Sequence, residues 1–122
     1  IAEAAACGMS DRVELRPGDF NTVALGHDHD LVWACQSLYY ATDLPEFLKK
    51  VCAALRPGGL FVTCSCSGLL SPAEFEHTVI KAAQRQGRKL QIMAMTGPGW
   101  DHPFLSTYPE GRYLKVLWAI AL

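Results

Sequence analysis

Two short apolar runs separated by a capped helix pattern constrain this chain more than any other feature. Residues 31–35 read Leu-Val-Trp-Ala-Cys and residues 60–64 read Leu-Phe-Val-Thr-Cys, each bounded by polar or turn residues. Continuous apolar runs of this length fit strands covered on both faces, the habit of a parallel sheet. Between them Asp43 offers a capping carboxylate, Pro45 a preset backbone angle, and Glu46 a negative charge near the positive end of the helix dipole. The helix pattern then carries Phe47, Leu48, Val51, Cys52 and Leu55 at spacings of three and four, and Arg-Pro-Gly-Gly at residues 56–59 ends it. A strand, a helix and a strand in this order make a crossover unit, which parallel strands require.

The flanking sequence extends the pattern. Residues 1–7 are rich in helix formers and close at Gly8. Residues 12–16 alternate polar and apolar at period two before the turn residues Pro17, Gly18 and Asp19, so a short strand is predicted there. Ser71 and Glu74 form a capping box that opens a second helix through Phe75, Val79, Ile80 and Ala83 to Gly87. Residues 90–95 and 113–120 read as the last two strands, joined by a Gly- and Pro-punctuated loop over residues 96–111 that is long enough to suspect function. The expected architecture is α/β, one domain over residues 1–122, with helices on both faces of a largely parallel sheet.

Composition supports that class and narrows the partners. Half of the 122 residues are apolar and the formal net charge is −1. That is enough for one core, and it excludes a polybasic nucleic-acid arm or an acidic disordered tail. No apolar run approaches the roughly 20 residues of a membrane span, and the first residues lack a signal peptide's basic start. Five cysteines, an odd number without framework spacing, fit a reducing compartment, so a cytoplasmic location is expected. The chain begins at Ile1, inside a helix-like run, which suggests a fragment of a longer protein.

Cysteines and histidines could also suggest a metal, but the spacing argues otherwise. Cys64 and Cys66 are separated by one residue rather than the two to four of a zinc knuckle, and no second pair accompanies them, so no metal is expected. Alternation aims Cys64 away from Thr63 and Ser65 and marks it as a packing residue. Cys7 and Cys52 sit in helix patterns. Lys81, Arg85, Arg88 and Lys89 read either as a solvated helix face or as an RNA phosphate contact.

Gly18-Asp19-Phe20 after one predicted strand, Asp30-Leu-Val-Trp-Ala opening the next, and Leu55-Arg-Pro-Gly-Gly-Leu60 before a third resemble the class I S-adenosylmethionine-dependent methyltransferases over nearly the whole chain. The resemblance implies a partial Rossmann-like sheet that lacks the family's first two strands, its glycine-rich cofactor loop and the acidic residue that holds the ribose. Of the cofactor site it implies Asp19 at the adenine amino group, Phe20 beside the ring, and Ala34 and Cys35 near the reactive methyl, with Gln36 following on the substrate side. The missing strands would leave unpaired sheet edges, and self-association through them is a further expectation.

A second set of segments is more specific. Thr63-Cys-Ser-Cys-Ser-Gly-Leu69, Gly87-Arg88, Asp101-His-Pro103 and Thr107-Tyr-Pro-Glu-Gly-Arg-Tyr-Leu-Lys115 resemble the large-subunit ribosomal RNA cytosine-5 methyltransferases. The resemblance implies that Cys66 is the nucleophile, that His102 and Tyr108 shape the substrate pocket, and that ribosomal RNA is the partner. The chemistry gives a reason for a thiol: carbon 5 of cytosine is a poor nucleophile until a thiolate adds at carbon 6. The family's Asp-Pro-Pro segment is replaced by Cys35-Gln36-Ser37, and the stretch from Cys35 to Tyr40 is similar to methyltransferases of small molecules. Two alternatives therefore stay open, a small-molecule acceptor and a non-catalytic piece that self-associates. Cys66 can also be read as a small buried hydrophobe, and Asp19 as a turn residue.

Overall fold

The computed structural model describes residues 6–19, 21–35 and 41–122. Among them the elements run β1 (His29–Ala34), α1 (Leu44–Ala54), β2 (Leu55–Ser65), α2 (Pro72–Arg85), β3 (Leu90–Thr96) and β4 (Lys115–Ala121), with 3-10 turns at Ser10–Arg12 and Pro109–Gly111. The strands make one sheet in the order β1-β2-β4-β3. β1 and β2 are parallel across the α1 crossover, and β4 runs antiparallel to both β2 and β3.

Both helices start where their caps place them. Asp43 Oδ1 accepts from the Glu46 N–H at 3.0 Å. At α2, Ser71 Oγ accepts from the Glu74 N–H at 3.2 Å while Glu74 Oε2 accepts from the Ser71 N–H at 2.9 Å, a reciprocal box that satisfies two otherwise orphaned donors. The two helices then pack on the same face of the sheet. Phe47, Leu48 and Val51 of α1 and Phe75, Val79 and Ala82 of α2 join Phe61 of β2 and Leu117, Ala119 and Ala121 of β4 in one buried cluster.

The α/β expectation holds, but helices on both faces are not what the described residues show. Leu31 is 50% and Trp33 61% exposed, because the face of β1 they share carries no helix among those residues. An apolar run reports that both sides favour burial; it does not name the cover. Part of that face covers itself. Trp33, Val62 and Trp118 stand side by side on β1, β2 and β4. The two indoles meet edge to face with centroids 6.1 Å apart, and Val62 beneath them is fully buried. Trp118 Nε1–H also donates to Thr96 Oγ1 at 3.0 Å.

The strand predicted over residues 12–16 does not form. Its residues are exposed and have no ladder partner among the described residues, and the Arg16 guanidinium makes two bonds to the Glu14 carboxylate, at 2.8 and 3.0 Å. Alternation gives a segment two faces, yet only a neighbouring strand gives its backbone somewhere to bond. β2, by contrast, begins earlier than residue 60. The turn residues 56–59 are absorbed as an irregularity between the pairs His29 with Leu55 and Leu31 with Leu60. Gly59 makes this possible: a Cβ there would lie 2.9 Å from the carbonyl oxygens of both Arg56 and His29. No described helix is long and apolar enough to cross a membrane.

Candidate active site

β2 ends at Ser65, and the next residue, Cys66, projects into a cavity of about 490 Å³. The loop joining β3 to β4 builds the other walls, with Asp101, His102, Phe104, Tyr108 and Tyr113 among them. Three sequence-derived site residues, Cys66, His102 and Tyr108, therefore meet in one place. His102 Nδ1 lies 3.5 Å from Asp101 Oδ2, and the His102 N–H closes a turn by donating to Gly99 O at 3.0 Å. Tyr108 leads into the 3-10 turn, its N–H donating to Leu105 O at 3.0 Å, and Gly111 lets Phe104 and Tyr108 approach closely. The Arg112 guanidinium stacks 5.3 Å from the centre of the Phe104 ring.

Lys115 fixes this edge of the sheet. It opens β4 opposite Ser65, in the phase that Leu117, Ala119 and Ala121 use for the core, and it is 4% exposed. Its Nζ donates to Ser67 O at 2.7 Å and to Tyr113 O at 2.8 Å, tying the turn after Cys66 to the end of the long loop. Sequence reasoning missed this role, although a lysine in the buried phase of a strand was the signal for it.

A second cavity, of about 470 Å³, adjoins the first through Gly99 and Leu114 and is lined by Trp33, Cys35, Cys64, Val116 and Trp118. Cys35 and Cys64 share a thiol hydrogen bond, and burial first, then that bond and the charge of Cys64, push the Cys35 thiol up to about 12. Ala34 is buried, and its carbonyl oxygen accepts from Thr63 Oγ1 at 3.1 Å. Cys64 is the packing residue expected from alternation, 4% exposed.

Asp19 lines neither cavity. Its Oδ1 accepts from the Asn21 N–H at 2.8 Å and from Asn21 Nδ2 at 3.1 Å, the turn geometry weighed as its alternative reading. These bonds, the backbone one first, hold its carboxyl below the ordinary 3.8. The loop is anchored in turn: Asn21 Oδ1 accepts from the Thr42 N–H at 2.8 Å, and Lys50 Nζ donates to the Asn21 and Val23 carbonyls, each at 2.9 Å. Phe20 and Gln36 lie outside the described residues. Of the basic set, Arg88 is half-buried and donates to the Leu55 carbonyl, so it ties the turn between α2 and β3 to the start of β2. Among the described residues no three His, Cys, Asp or Glu side chains gather as a metal site.

Residues 1–63 match the family model of a methyltransferase domain. A ribosomal RNA large subunit methyltransferase I from Alteromonas mediterranea is 45% identical over 64 residues, which are 52% of this chain and 16% of that protein. The chain thus spans well under a fifth of the curated relatives it matches. Among solved structures, an S-adenosylmethionine-dependent methyltransferase from Mesorhizobium loti superposes with a TM-score of 0.69 at 18% identity, over 98% of this chain and 74% of that one. The N-methyltransferase NodS from Bradyrhizobium japonicum, in complex with S-adenosyl-L-homocysteine, gives a TM-score of 0.61 at 17% identity, over 98% of this chain and 61% of that one. At these identities the likeness is one of fold.

Proposed function

Because the chain belongs to the methyltransferase domain family, we propose that it serves S-adenosylmethionine-dependent methyl transfer to carbon 5 of a cytosine in ribosomal RNA, with Cys66 as nucleophile. The observation that carries the reading is the convergence of Cys66, His102 and Tyr108 on one cavity at the carboxyl end of β2, where α/β sheets place their ligands. Ribosomal RNA is taken from the name of the relatives, and the cytosine from the resemblance of the segments around Cys66.

The resemblance assigns the two ends of the cofactor to Asp19 and to Ala34 and Cys35, and the character of these residues supports that reading. Asp19 offers an exposed carboxylate kept ionised by Asn21, suited to the adenine amino group; Ala34 ends β1, and Cys35, the next residue, lines the second cavity. When bound, S-adenosylmethionine supplies an electrophilic methyl group. The protein's part is to make the acceptor reactive. Addition of the Cys66 thiolate to carbon 6 moves electron density onto carbon 5; after that carbon is methylated, loss of its proton lets the thiolate leave and restores the ring. His102 and Tyr108 hold the base in the cavity, and Phe104 and Tyr113 offer it aromatic walls.

The test is transfer of a labelled methyl group to large-subunit ribosomal RNA by the chain in a full-length context and by its Cys66→Ala variant. The expected result is methylated cytosine with the native chain and none with the variant. Retained methylation by Cys66→Ala sinks the covalent step, and methylation confined to small molecules sinks the RNA acceptor. Self-association belongs to the same proposal, since the outer edge of β1 has no partner strand among the described residues. Light scattering should then show mass rising with concentration.

A further inference from the structure

We propose that Cys35 and Cys64 form a redox couple, closed to a disulfide by a hydroperoxide and reopened by a thiol reductant. The inference does not rest on methyl transfer. Ala34 pairs with Thr63 in the parallel ladder, so the next residues along each chain, Cys35 and Cys64, stand side by side on the same face. Neighbouring strands lie about 4.8 Å apart, inside the roughly 4.4–6.8 Å between Cα atoms that a disulfide spans. The two thiols already share a hydrogen bond, and neither is in a disulfide. They line the cavity whose walls include Trp33, Val116 and Trp118, and its volume of about 470 Å³ exceeds that of a small oxidant.

The two sulfurs divide the roles, one attacking the peroxide and the other resolving the product; burial and its neighbour push the Cys35 thiol up to about 12, which suits Cys35 to the resolving, proton-giving role. Attack of Cys64 on the peroxide breaks the O–O bond, leaves a sulfenic acid on Cys64 and releases hydroxide, which takes the displaced thiol proton as water. Attack of Cys35 on the Cys64 sulfur then forms the S–S bond and expels a second hydroxide, which leaves as water with the Cys35 proton. The two thiols lose two electrons, and hydrogen peroxide gains them as it becomes two waters.

The experiment treats the folded full chain with hydrogen peroxide and maps linked peptides without reduction. The expected product is one Cys35–Cys64 linked pair with loss of two hydrogens, reversed by dithiothreitol. Tryptophan emission should be quenched in step, because the new bond lies beside Trp33 and Trp118. Cys35→Ser, at a half-buried position, should abolish both signals; Cys64→Ser should do the same if it folds. A Cys64–Cys66 link, or oxidation of Cys66 to its sulfinic acid while Cys35 and Cys64 stay alkylatable, overturns the proposal.

Discussion

Lys115 and Ser67 are joined across the sheet edge by a 2.7 Å hydrogen bond from Nζ to the carbonyl oxygen, although β2 has already ended at Ser65. The bond holds the backbone next to Cys66 in place. Lys115→Met keeps most of the apolar stem and removes both donated bonds, leaving the Ser67 and Tyr113 carbonyls without that partner. Hydrogen bonds to charged groups contribute about 1.5–3 kcal/mol, so urea denaturation should show a loss in that range. The alkylation rate of Cys66 should rise in the same variant. An unchanged midpoint with unchanged thiol reactivity would mean that the lysine does not fix the edge.

Gly59 and Gly87 separate two reasons for glycine. At Gly59 an added methyl meets two carbonyl oxygens at 2.9 Å, both backbone and neither free to swing aside. At Gly87 it meets nothing within 4 Å, but φ is +66°. Gly59→Ala should therefore cost about 1–3 kcal/mol or more through forced displacement of β1 from β2. Gly87→Ala should cost about 1 kcal/mol, from backbone strain alone. Thermal melts of the two variants that reverse this order would contradict the close approach at Gly59.

Glu74 links the α2 cap to pH. The Ser71 side-chain and backbone hydrogen bonds hold its carboxyl below the ordinary 4.5. A carboxyl whose folded value is depressed adds stability above the unfolded value, and that share is lost as pH falls through the folded one. The native chain should therefore lose stability below pH 4.5 faster than Glu74→Gln, which has no proton to take up. Parallel stability curves for the two chains in acid would show that the box does not depend on the carboxylate.

Much of the fold was legible because its signals are local. Asp43 and Ser71 announce their helices from within one turn, and the alternation of β4 reports its two faces without any knowledge of the partners. What escaped depends on neighbours remote in sequence. Residues 12–16 have a strand's alternation and no ladder, and Leu31 and Trp33 have a buried strand's hydropathy and no cover among the described residues. The site divides in the same way. Cys66, His102 and Tyr108 could be named from motifs, and the loop brings them together. The Cys35–Cys64 contact needed the register of β1 on β2, which no spacing in the chain reveals, and the role of Lys115 needed the phase of β4 against the core.

The strand order carries a consequence for synthesis. β4 is the last of the four strands along the chain, yet it lies between β2 and β3, and these two have no ladder with each other. A nascent chain can close the local unit of β1, α1 and β2, but β3 has nowhere to dock until residues 115–121 exist. Both flanking ladders then close on one late segment. Any ribosome stall before it leaves the inner edge of β2 bare, with Val62 and Cys64 lacking Trp118 and Val116 beside them. For this sheet, the vulnerable interval in the life of the polypeptide is the wait for its final strand.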